Sequence, residues 1–145
     1  MEIHESNIER VAIPDDKGKE AGSLYYLPYD VGLFERSIDL TRSLKETMQR
    51  VSLLMSGNTA ITAEVSSVLS EADQEARNAV DRAFGVKTAD EVFRLHRPFE
   101  LVGGRFWMAR VVDAASEVTD RVSGNLSALG QRMKKTSPKK RWFWR

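Results

Sequence analysis

The sequence predicts a mainly α fold: a small helical domain of three to four helices, with a short N-terminal β-hairpin before it and a disordered basic C-terminal tail after it. Three observations lead there. Three segments between residues 31 and 133 repeat apolar residues at the period of an amphipathic helix. Residues 1–30 alone read as extended, with β-branched and aromatic residues on either side of a polar turn. From Lys134 onward the chain loses all periodicity and becomes rich in Lys and Arg. The expected divisions are therefore 1–30, 31–133 and 134–145, within a length that suits one domain.

In the first division, "EIHESNIERVAIP" and "SLYYLPYD" are the two strands, joined by the Gly-containing "DDKGKEAGS". Pro14 and Pro28 suit strand ends, because proline has no N–H to give to a ladder. Two strands alone are marginal in water, so this hairpin must pack on the helices.

Asp30 can cap the first helix, whose apolar positions are Phe34, Ile38, Leu44, Met48, Val51 and Met55. "SGN" at 56–58 ends it. The second helix carries Ile61, Val65, Val68, Leu69, Ala72, Ala76, Ala79, Val80 and Phe84 on one face, and its small residues permit close approach of a neighbour. Then comes a tight corner, "AFGVKTADEVF". Gly85 can end the helix in the left-handed conformation, and Thr88 with Glu91 forms a capping box for a short helix to about residue 96. Phe84 and Phe93, on either side, bury together and fix the angle. The corner residues Phe84, Gly85, Thr88, Glu91 and Phe93 are thus expected to be structural. "RPFELVGG" forbids long regularity. The last helix begins near Arg105 with the stripe Trp107, Val111, Ala114, Val118, Val122, Leu126, Leu129 and Met133.

The net charge of +1 hides a division. Residues 132–145 carry seven bases and no acid, whereas the 131 residues before them carry 15 bases and 21 acids, a net of −6. An acidic body argues against nucleic acid as a partner, since phosphate contacts need a broad basic face. The tail interleaves Lys139, Lys140 and Arg141 with Trp142, Phe143 and Trp144, a composition able to stack on bases, meet a membrane surface or fill a groove on a protein.

Chemistry-bearing patterns are few. There is no cysteine, and His4 and His96 cannot complete a usual zinc set. Gly103-Gly104 before a helix lacks the context of a phosphate loop and reads as a tight entry into that helix. "NLS" at 125–127 falls inside a predicted helix. Asp15-Asp16 and Asp90-Glu91 read as turn and cap residues rather than acid–base pairs. No catalytic residue, cofactor, metal or small-molecule substrate is expected. The opening "MEIHESNIER" is too polar for a signal peptide, and no apolar run approaches the roughly 20 residues of a membrane span.

With "AVDRAFGVKTADEVF", the leading "LPYDVGLFERSIDLTRSL" and the long helix after "FELVGGRF", the sequence resembles the tail assembly chaperones of long-tailed bacteriophages of Gram-positive hosts. The resemblance covers roughly residues 20–130 and is most specific at Phe84-Gly85 and Val92-Phe93. It implies a non-enzymatic protein of the host cytoplasm. Such a protein binds the tape measure protein, keeps it soluble while tail tube subunits polymerise, and self-associates. The major tail protein is a further possible partner. The resemblance also implies a longer product made by programmed frameshifting near Lys134-Lys135. Two other classes compete. One is a small virion part, such as a head–tail connector or tail completion protein. The other is a nucleic-acid-binding regulator that uses the basic tail.

Overall fold

The computed structural model describes residues 8–57 and 62–136. The expectations for His4 and Ile61, and for Lys139, Lys140, Arg141, Trp142, Phe143 and Trp144, fall outside the described residues. Two strands, β1 (Glu9–Pro14) and β2 (Glu20–Tyr26), form the N-terminal hairpin. Helices α1 (Val31–Ser56) and α2 (Ala63–Phe84) follow, then the short α3 (Thr88–Val92). A two-residue-deep hairpin, β3 (Leu101–Val102) with β4 (Arg105–Phe106), leads into α4 (Trp107–Thr136). The described residues are mainly helical, as the sequence predicts. None of their helices is long and apolar enough to cross a membrane.

In the first hairpin Glu9 faces Tyr26 and Ile13 faces Gly22, and the register slips between Ile13 and Pro14. The slip falls where proline can no longer donate to the ladder. Asp15 makes the turn: its carboxylate accepts from the amides of Lys17 and Lys19. Val11, Ile13 and Leu24 are buried and anchor the sheet to the helices. Gly22 is where β2 passes the backbone of α3. A Cβ there would sit 3.3 Å from the Cα of Val92, so a larger residue would push the two apart.

α4 is the centre of the molecule. Trp107, Met108, Val111, Ala115, Val118 and Val122 are all buried along it. It runs antiparallel to α1: Ser37 meets Thr119, and farther along α4 Asn125 donates to the carbonyl of Pro28, which precedes α1. The face α1 gives to the core is Leu33, Ser37, Leu40, Leu44, Thr47 and Val51. Leu44 and Val51 hold from the sequence-based stripe, but its other positions change: Ile38 and Met55 are exposed, and Phe34 and Met48 only flank the buried row. On α2 the row Ala72, Ala76, Ala79 and Ala83 is buried, and these small residues let α1 lie close.

Three further expectations change. The short helix ends at Val92, not near residue 96. Gly103 and Gly104, both at positive φ, form the two-residue turn of the β3–β4 hairpin rather than the entry to a helix. Finally, α4 continues to Thr136, past the predicted boundary at residue 133.

Candidate functional site

The corner between α2 and α3 is built from backbone chemistry, though by different residues from those the sequence nominates. Gly85 has φ 111° and ψ 161°, an extended conformation of positive φ that only glycine adopts freely, rather than the left-handed helical one. The left-handed residue is Lys87, with φ 77°. Thr88 is not the cap. It is the first residue of α3, and no side chain of the cap position bonds to the helix. The carboxylate of Asp81 does that work from the last turn of α2, accepting from the amide of Ala89 at 2.8 Å. Glu91 does not reach back to close a capping box. Its carboxylate lies 3.9 Å from Arg94.

Phe93 is buried, with the guanidinium of Arg77 5.3 Å from its ring centre. Phe84 is at the edge of the same core and turns partly outward.

The start of α1 is tied to this corner through one arginine. Asp30 caps α1 by accepting from the Leu33 amide and also holds Arg36 at 3.0 Å. Arg36 then donates from Nε to the carbonyl of Ala83, in the last turn of α2. A cation there satisfies an end carbonyl and suits the helix dipole.

Beside this link lies a groove of about 390 Å³, walled by Ile8, Tyr25 and Leu27 of the hairpin side, Leu33 of α1, and Ala83 and Phe84 of α2. Its wall is exposed as well as apolar: Ile8 is 45% exposed, Tyr25 52% and Leu27 49%. Large apolar side chains exposed together in this way mark an interaction surface more often than single ones do. The groove's polar groups are mostly committed. Tyr26 donates to Glu9 and accepts from Arg121, and burial holds its phenol above the ordinary value. Such a phenol is a neutral donor, not a base or a nucleophile.

Elsewhere the described residues offer little to chemistry. No group of three or more His, Asp or Glu among them is placed to hold a metal ion. His96 pairs with Glu100 at 2.7 Å and lies against the Trp107 ring. That contact, with the amide of Arg97, holds the Glu100 carboxyl below its ordinary value. The first amides of α4 are already used: Trp107 donates to the carbonyl of Glu100 and Met108 to that of Pro98. Neither of those two amides is left to bind an anion.

Sequence reasoning found the corner but not the groove. Of the corner residues only Phe84 lines it. The others arrive from Tyr25, Leu27 and Ile8, which the sequence shows as strand residues with no mark of which side faces outward. Comparison with protein-family models, with curated proteins and with solved structures gave no match.

Proposed function

We propose that this chain is a tail assembly chaperone of a long-tailed bacteriophage, acting in the host cytoplasm. In this reading it binds the tape measure protein and keeps it soluble until tail tube subunits enclose it. The observation that carries the reading is the apolar groove at the α2–α3 corner, because Phe84, the residue at the heart of the resemblance, forms one wall of it. A long helical partner offers apolar stripes at i, i+3 and i+4 spacing, and an apolar groove with an aromatic wall suits such a stripe. The acidic body lets the complex form without attracting nucleic acid.

The test is co-expression with the tape measure protein that this reading names as the partner. The expected result is that this partner becomes soluble only when the chain is present, in a complex that survives high salt. Apolar contact is little screened by ions, whereas phosphate binding weakens steeply with them. If the partner's solubility does not change, and the chain instead binds nucleic acid tightly and in a salt-sensitive way, the regulator takes its place.

A further inference from the structure

A second groove, of about 450 Å³, lies between the end of α1, the first half of α2 and the segment before β3. Met55, Leu69 and Phe99 supply its apolar surface, and Asp73 and Glu100 bring carboxylates against the one base, Arg97. The adjoining part of α2 is strongly acidic: from Ala63 to Ala76 it holds Glu64, Glu71, Asp73 and Glu75 and no base. One carboxylate oxygen of Asp73 contacts Arg77 at 3.3 Å, while the other, Oδ1, is buried with no hydrogen-bond partner. A buried carboxylate oxygen without a donor is costly and invites one. The groove therefore fits a ligand that brings cations and aromatic rings together.

The chain itself carries such a segment. Lys139, Lys140 and Arg141 stand beside Trp142, Phe143 and Trp144. Arg and Trp are the residue types that most often anchor protein contacts. The copy that owns the segment cannot use it here. Glu100 sits at the start of α4, where its carbonyl accepts from the Trp107 amide. The helix then runs 30 residues away from the groove, about 44 Å at 1.5 Å per residue. From Thr136 to Trp142 is six residues, which fully extended span at most about 22 Å, and Trp144 reaches only about 29 Å. A segment returning from that end falls well short of the groove.

We propose that residues 139–144 of one copy dock in the groove of a second copy, between Leu69, Asp73, Phe99 and Glu100, so that copies join head to tail. The two halves of the contact lie at opposite ends of α4, so a joined pair still offers one free segment and one free groove, on different copies. That is a heterologous contact, which grows open-ended rather than closing as a symmetric dimer. Pairing of two such segments with each other is opposed by their like charge. The proposal does not depend on the chaperone reading, and its test uses the purified chain alone.

Two full-length variants decide it. In the groove variant, Ser66→Lys and Ser70→Lys place cations on the groove wall at two exposed helix positions. In the segment variant, Trp142→Ala, Phe143→Ala and Trp144→Ala remove the rings. Sedimentation velocity of the parent chain should show species that grow with concentration. Each variant alone should stay monomeric with the parent's far-UV CD spectrum and melting temperature. Mixed in equal amounts they should form a dimer and nothing larger, because one intact groove then meets one intact segment. Adding Lys140→Glu and Arg141→Glu to the groove variant should restore its self-association by reversing both charges. A parent that remains monomeric, a folded variant that assembles like the parent, or a mixture of folded variants that stays monomeric would each overturn the proposal.

Discussion

Ser37 of α1 and Thr119 of α4 share a hydrogen bond of 2.6 Å across the central helix contact, with Ser37 fully buried. Each hydroxyl also faces a carbonyl of its own helix, Ser37 that of Phe34 and Thr119 that of Ala115. The two hydroxyls carry two protons between them, so one donates across the interface and the other to its own carbonyl. Removing one costs the other its cross-helix partner and leaves it only its own carbonyl, whereas removing both leaves nothing unsatisfied. Ser37→Ala alone should cost about 1 kcal/mol, and Thr119→Val alone a similar amount. The double variant should be more stable than the sum of the two losses allows. Urea unfolding of the four proteins measures this, and strict additivity would show that the pair is not coupled.

The same pair explains what the sequence concealed. The buried row of α1 is regular, but Ser37 and Thr47 occupy two of its six places. Reading polar as outside moves the stripe onto Ile38 and Met55, which the fold leaves exposed. A hydroxyl can go inside because its own helix supplies an acceptor, as Ser43 does for Thr47, and periodicity cannot see that acceptor. The helices themselves were legible, since Trp107, Val111, Val118 and Val122 leave no choice of face. The groove was not legible, because it is assembled from Tyr25, Leu33 and Phe84, which only the tertiary packing brings side by side.

At the corner, Gly85 and Lys87 are both at positive φ but call for opposite substitutions. A Cβ on Gly85 would meet no atom within 4 Å, so the penalty there is backbone strain alone. Gly85→Ala should destabilise by about 1–3 kcal/mol. Lys87 already bears the left-handed penalty of a side-chain-bearing residue, so Lys87→Gly should raise stability by about 1 kcal/mol. Thermal melts of the two variants should move in opposite directions. Equal shifts of the same sign would contradict the assigned conformations.

The cap of α3 gives a second contrast. Asp81 bonds the Ala89 amide from a neighbouring helix, and Thr88 bonds no helix end in this way. Asp81→Ala should therefore cost about 1 kcal/mol or slightly more, the usual loss for a helix cap. Thr88→Ala should stay within about 0.5 kcal/mol of the parent, as surface changes away from such features do. The reverse order in chemical denaturation would restore Thr88 as the cap.

The last prediction concerns the groove beside that corner. Tyr25 and Leu27 flank the buried Tyr26, and each is about half exposed on the groove's hairpin side. Neither belongs to the buried core, so charging both should leave the fold intact. The groove would then ask a partner's apolar stripe to bury carboxylates, a cost of several kcal/mol unless they are paired. Tyr25→Asp with Leu27→Asp should keep the parent's melting temperature within a few degrees but lose the ability to solubilise the long helical partner in co-expression. The control is Ile38→Asp, a 38% exposed apolar position on α1 that lines a different pocket facing α4, which should keep that ability. If the groove variant is folded and still solubilises the partner, the binding surface lies elsewhere on the molecule. If both variants fail, the effect is one of general charge and not of this groove.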